Sequence, residues 1–179
     1  LTAIVTVDNY RCLFSASLEQ SRAMALGMMQ RGIKPEWEAF SPTHILQDMK
    51  TLQEEMPETS PRFINLVLGL DKVFQGAMPY SPDILQQMYN LLPPGNIVNV
   101  AGIGDAQLPA AVQMLTLGGH VRVGLEDNLF FEPGVPATNV QLVERIVAII
   151  RLMGMEPASP AEARHMLGLA PSAIQLNRF

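Results

Sequence analysis

The residues best placed to do chemistry lie together in the run His120-Val121-Arg122-Val123-Gly124-Leu125-Glu126-Asp127-Asn128. At a period of two, Val121, Val123 and Leu125 share one face, while His120, Arg122, Gly124 and Glu126 share the other. An apolar strand therefore carries an ionisable row, and a buried strand of that kind needs partners for its charges, a metal or a substrate. Glu126 and Asp127 close the run, where one carboxylate could ligate a divalent metal while its neighbour acts as a base. The alternative is structural: Asp127-Asn128 starts a turn and Glu126 pairs with Arg122. His120 lies ~20 Å of extended chain before Glu126, too far to share an ion with it, and reads as a structural hydrogen bonder.

A second row precedes it. Glu36, Glu38 and Phe40 alternate with Trp37 and Ala39, so two carboxylates would point the same way from one strand. Ala101-Gly102-Ile103-Gly104-Asp105 ends another apolar run; its backbone N–H groups could hold a phosphate, or Asp105 could simply cap the helix that follows. His44 and His165 stand alone on predicted helices, so no two-histidine metal motif is present. Met24, Met28 and Met29, at helical spacing, read as core filler.

Five apolar strand candidates position these side chains: residues 1–7, 35–40, 62–68, 96–101 and 120–125, each followed by a helical pattern. Alternation of this kind predicts parallel βαβ units. Ser81-Pro82 and Ser159-Pro160 mark helix starts, with Glu162 completing a capping box, and Gly118 and Gly154 mark helix ends. The α/β pattern predicts a single domain over residues 1–179, either an open doubly wound sheet or part of a (β/α)8 TIM barrel. The inward polar rows favour the barrel, because a sheet covered by helices on both faces has no comparable polar interior.

The 179 residues carry a net charge of −5 and are 48% hydrophobic, an ordinary globular composition without a basic patch for nucleic acid or a polybasic membrane segment. No apolar run approaches the ~20 residues that span a bilayer. One cysteine, Cys12, excludes an internal disulfide and suits the cytoplasm. The chain opens on Leu1 and enters a strand-like run at once, which reads as cut from something longer.

Gly118-Gly119-His120-Val121-Arg122-Val123-Gly124-Leu125-Glu126-Asp127-Asn128, followed by Gly134-Val135-Pro136-Ala137-Thr138-Asn139 and Gln141-Leu142-Val143-Glu144, resembles the beta-keto acid cleavage enzyme family. Lys34-Pro35-Glu36-Trp37-Glu38, Val67-Leu68-Gly69, Ala101-Gly102-Ile103-Gly104 and Pro160-Ala161-Glu162-Ala163-Arg164 extend the match over nearly the whole chain.

The resemblance implies a TIM barrel, here incomplete and covering about strands 4–8, that cleaves a β-keto acid with acetyl-CoA to give acetoacetate and an acyl-CoA. It implies Zn2+ bound by the glutamate matching Glu126 and by a His-x-His of an early strand, which has no counterpart in this chain. It implies catalytic roles for Arg122 and Asp127, the aspartate assisting deprotonation of the substrate, for Glu38, and for Thr2 through a looser match. The family's Gly-Ser-x-Asn-Phe pattern survives around Thr6-Val7-Asp8-Asn9-Tyr10 only in Asn9 and an aromatic, and Asp105 stands where a basic residue is common. Two functions are therefore expected: part of a zinc-dependent β-keto acid cleavage enzyme, inactive by itself, or a non-catalytic remnant that keeps the barrel's oligomerising surface. Either would be a homo-oligomer without nucleic-acid or membrane partners.

Overall fold

The computed structural model describes residues 17–56, 61–74 and 76–170, together with the backbone of 2–7 and 10–15. The first strands, β1 (Thr2–Val7) and β2 (Tyr10–Ser15), pair antiparallel, with Thr2 opposite Ser15 and Val7 opposite Tyr10. This corrects the expectation that residues 1–7 join the parallel sheet. Only Asp8 and Asn9 separate the strands, and so short a connection joins antiparallel neighbours, whereas parallel ones need about a dozen residues or more.

The remaining candidates build the predicted parallel sheet: β3 (Glu36–Ala39), β4 (Phe63–Leu68), β5 (Ile97–Gly102) and β6 (His120–Arg122), in the order β3-β4-β5-β6. Between and beyond them run α1 (Leu18–Gln30), a π-helical turn His44–Met49 leading into α2 (Lys50–Glu55), α3 (Pro82–Asn90), and a 3-10 turn Gly104–Ala106 leading into α4 (Gln107–Thr116). A short antiparallel ribbon, β7 (Phe130–Glu132) and β8 (Val135–Pro136), precedes α5 (Asn139–Leu152) and α6 (Pro160–Met166). The fold is α/β, part of a TIM barrel, and its four-stranded sheet is not closed.

The helix boundaries follow local chemistry. The Ser81 and Ser159 hydroxyls accept the N–H groups of Ile84 and Glu162, and Gly118 and Gly154 take the left-handed conformation at φ 78° and 77°. Ser17 with Gln20, and Thr138 with Gln141, form further capping boxes. Asp105 differs from expectation. It makes no side-chain cap, because the chain enters α4 through the 3-10 turn.

One face of the sheet makes the core. Trp37, Ala39, Ile64, Leu66, Leu68, Val98 and Val100 are buried with Leu52, Leu85, Met88 and Met114 of the helices. Burying each large aliphatic side chain contributes about 1.5–3 kcal/mol. Of the methionines on α1, Met29 packs against this core but Met24 is 68% exposed, so the reading of all three as filler does not hold. The opposite face carries Glu36 and Glu38, as the alternation predicted, with a small cluster of Phe40, Val67 and Ala101 toward the C-terminal ends.

Gly102 has a packing reason to be glycine. A Cβ there would collide with the Ala106 carbonyl and stand 2.7 Å from Gln107 Cα, so α4 can lie this close to β5 only without a side chain.

Candidate active site at the end of the parallel sheet

Strand β6 ends at Arg122, three residues before the predicted end at Leu125. At Gly124 the chain turns: Asp127 and Asn128 donate their N–H groups to the Gly124 carbonyl at 3.2 and 3.0 Å. Three elements pin the turn. Gln107 Nε2 of α4 donates to the same carbonyl at 3.1 Å, the Gly104 N–H donates to the Asp127 carbonyl at 2.7 Å, and the Leu125 N–H donates to Asn139 Oδ1 at 2.9 Å. Extended chain would send Glu126 and Asp127 in opposite directions, but this turn brings both to Arg122.

Arg122 is the hub. Its Nε and Nη2 donate to Asp127 Oδ2 and Oδ1 at 2.9 and 3.0 Å, a bidentate pair, and Nη2 also donates to Glu126 Oε2 at 2.8 Å. Across the sheet, Nη1 lies 3.8 Å from Glu38 Oε1 on β3. The Asp127 side chain is 4% exposed and that of Glu126 86%, so the first pair is sheltered and the second largely screened. The hydrogen bond to Asp127 holds the Arg122 pKa above its ordinary range against the opposing pull of burial, helped by the charges of Asp127, Glu126 and Glu38. Burial pushes the Glu36 carboxyl up, with the Glu38 charge adding and Arg122 opposing.

The structural reading of the motif is thus correct as geometry: Asp127 and Asn128 do form a turn and Glu126 does pair with Arg122. It does not exclude the chemical reading, because the same contacts gather Glu38, Arg122, Glu126 and Asp127 at the C-terminal end of the sheet, where barrel active sites are built. Thr2, the remaining candidate, lies in β1, and its side chain falls outside the described residues.

Two members of this polar face escaped the sequence reading. Asn65 and Asn99, 0% and 6% exposed, stand side by side on β4 and β5, with Asn99 Nδ2 donating to Asn65 Oδ1 at 3.3 Å and Asn65 Nδ2 to Glu38 Oε1 at 3.5 Å. The available signal was an amide at the same place in two apolar strands, Phe-Ile-Asn-Leu-Val-Leu and Ile-Val-Asn-Val-Ala-Gly. His120 occupies the same level on β6, opposite Asn99, and is exposed without a hydrogen bond to its side chain among the described residues, contrary to the expected structural role.

The glycine-rich turn is committed internally, since its Gly104 N–H serves the Asp127 carbonyl. His44, in the π-helical turn, accepts the Phe40 N–H on Nδ1 at 3.1 Å, and burial holds its imidazole below the usual range while the charge of Asp48 opposes. Among the described residues, no three of His, Cys, Asp and Glu form a group able to hold a metal ion.

A family model described as beta-keto acid cleavage enzyme matches residues 3–169. The chain is 35% identical over 144 residues to the 3-keto-5-aminohexanoate cleavage enzyme of Acetoanaerobium sticklandii, covering 80% of this chain and 51% of that protein. It is 37% identical over 148 residues to the 3-dehydrocarnitine:acetyl-CoA trimethylamine transferase of Rhizobium meliloti, covering 83% and 48%. Against the 3-oxoadipate:acetyl-CoA acetyltransferase of Cupriavidus necator it is 35% identical over 155 residues, covering 84% and 53%. The chain therefore spans about half the length of the curated relatives it matches. The solved binary complex of ObcA with oxaloacetate superposes with a TM-score of 0.65 at 18% identity, covering 94% of this chain and 44% of that one, a likeness of fold. With the Arg122 cluster at the sheet's C-terminal end and the match running from residue 3 to 169, the chain belongs to the beta-keto acid cleavage enzyme family.

Proposed function

We propose that this chain supplies one wall of an active site that cleaves a β-keto acid with acetyl-CoA, giving acetoacetate and a new acyl-CoA. The observation that carries the reading is the convergence of Glu38, Glu126 and Asp127 on the Arg122 guanidinium beside the strand ends. The names of relatives that transfer groups to or from acetyl-CoA support the co-substrate. Arg122 would receive the substrate carboxylate, a planar anion that suits its forked donors. In doing so the substrate competes with Asp127 for the guanidinium, and each hydrogen bond it takes leaves an Asp127 oxygen able to accept the proton from the carbon between the keto and carboxylate groups. That carbon then attacks the acetyl carbonyl of acetyl-CoA and the coenzyme A thiolate leaves. Attack of the thiolate on the keto carbon breaks the carbon–carbon bond, and the proton returns from Asp127 to the acetoacetate carbanion. Glu38 and Thr2 complete the proposed catalytic set.

Zinc is the metal the family resemblance implies, with Glu126 as one ligand. The described residues do not make a zinc site by themselves: Glu126 is drawn to Arg122, and no three-donor group accompanies it. No step is therefore assigned to the metal. Half of the relatives' length lies outside this chain, and we assign the remaining ligands and the closing strands to that half.

Incubating the 179 residues, and separately the same chain joined to the missing half of the family length, with zinc, acetyl-CoA and a panel of β-keto acids tests the reading. Acetoacetate and a new CoA ester are expected from the joined protein alone. No product from it would overturn the assignment of function. Turnover by the 179 residues alone would overturn the division of the site. The alternative of a non-catalytic remnant draws on the same lack of a three-donor group, and predicts no product from either. Among the described residues no helix is long and apolar enough to cross a membrane. The single cysteine suits the cytoplasm, where we propose that the enzyme acts as a homo-oligomer.

A further inference from the structure

Glu38, Asn65, Asn99 and His120 stand at one level of the sheet, one from each parallel strand, because Glu38 pairs with Asn65, Asn65 with Asn99 and Asn99 with His120 in the strand register. Arg122, two residues beyond His120 on β6, lies within 3.8 Å of Glu38 on β3, at the other side of the four-stranded sheet. Within the row the donors run one way: Asn99 donates to Asn65, and Asn65 donates to Glu38. One link is open. Among the described residues Asn99 Oδ1 is buried without a hydrogen-bond partner, which is costly for an amide that is 6% exposed.

The next residue in the row is a donor. His120 is exposed, its ring has no hydrogen bond among the described residues that would fix its rotamer, and neighbouring strands lie only ~4.8 Å apart, within reach of a turned imidazole. We propose that His120 donates a ring N–H to Asn99 Oδ1, and that His120, Asn99 and Asn65 are positioning residues that together hold the Glu38 carboxylate. The contacts from Asn65 and Arg122 both fall on Glu38 Oε1, which among the described residues leaves Oε2 for a ligand. The role of Glu38 toward that ligand rests on the function proposed above, but the row itself is tested without turnover.

Nitrogen-15 and carbon-13 NMR of the joined protein reads each link. In the unsubstituted protein a His120 ring N–H with slowed solvent exchange is expected, along with Asn65 and Asn99 side-chain amides exchanging at least tenfold more slowly than that of Asn90, which is exposed. Asn99→Leu should abolish the slow His120 N–H and free the Asn65 amide. Asn99→Asp keeps an acceptor but loses the donor, so it should retain the His120 signal and free only Asn65. His120→Phe, at an exposed position that leaves the core untouched, should shift the Asn99 amide and the Glu38 carboxyl carbon. A His120 ring indifferent to Asn99→Leu, or a Glu38 carboxyl carbon unmoved by all three substitutions, would overturn the proposal. In the joined protein, Asn99→Asp should lower kcat at least tenfold with KM little changed. Unchanged kcat there contradicts the positioning role and leaves the proposed function standing, whereas absence of turnover by the unsubstituted protein strikes the proposed function alone.

Discussion

Arg122 serves two partners that differ in shelter, and that difference orders their energetic weight. Asp127 is held by two charge-assisted hydrogen bonds at a side-chain exposure of 4%, so Asp127→Asn should cost about 2–3 kcal/mol in urea denaturation. Glu126 is 86% exposed, and Glu126→Gln should cost less than ~1 kcal/mol. The reverse order would mean that the Arg122–Asp127 pair is absent in solution. Glu36 gives a pH signature. Its folded pKa is raised above the ordinary 4.5, so the native state binds the proton more tightly than the unfolded chain. Its contribution is present below 4.5 and is lost as pH rises through the raised value, so Glu36→Gln should raise neutral-pH stability while changing it little below 4.5. At this scale the charged site residues were legible because ionisable side chains interrupt an apolar alternation. Asn65 and Asn99 were not, because an amide inside a continuous apolar run betrays neither its face nor its neighbour until the strand register is known.

Among the elements, those set by local chemistry were readable and those set by tertiary contact were not. Serine caps and left-handed glycines are decided within a few residues, and they stand where expected. The end of β6 is decided by Gln107, Gly104 and Asn139, none of them near it in sequence, so the strand looked three residues longer than it is. Asp105 offered a plausible cap, but the chain enters α4 through the 3-10 turn Gly104–Ala106, which puts the start of α4 past it, where α4 packs against Gly102. Gly102→Ala should therefore drive α4 away from β5 and lower stability by about 1–3 kcal/mol in thermal or urea unfolding. The π-helical turn carries a pH response opposite to that of Glu36. His44 accepts the Phe40 N–H through a nitrogen that protonation would block, and its folded pKa lies below the ordinary 6.5. The unfolded chain then binds the proton more tightly, so this contribution is present above 6.5 and fades as pH falls through the lowered value. His44→Asn should remove that loss, as read from denaturation midpoints between pH 7.5 and 5.

For the whole molecule, the α/β pattern followed from alternating strands and helices, and the barrel relationship from the inward polar rows and the family resemblance, whereas the antiparallel start of the chain followed from neither. An apolar alternation is compatible with parallel and antiparallel pairing alike, so the pattern does not tell whether residues 2–7 pair with a parallel neighbour or fold back on residues 10–15. The parallel sheet has free edges at β3 and β6, and Leu129, Phe130, Val135, Val140 and Val143 are exposed around the β7–β8 ribbon and the start of α5. Unpaired edges and apolar patches of this kind favour association. The isolated chain should therefore sediment as oligomers or aggregates at micromolar concentration; a monodisperse monomer would contradict this. The most direct test of the central claim is to follow label from acetyl-CoA carrying carbon-13 at its carbonyl in the joined protein. The account predicts that the label appears at the keto carbon of acetoacetate, that the new acyl-CoA is unlabelled, and that Arg122→Met abolishes both products. Label in the new acyl-CoA, or turnover undiminished by Arg122→Met, would contradict it.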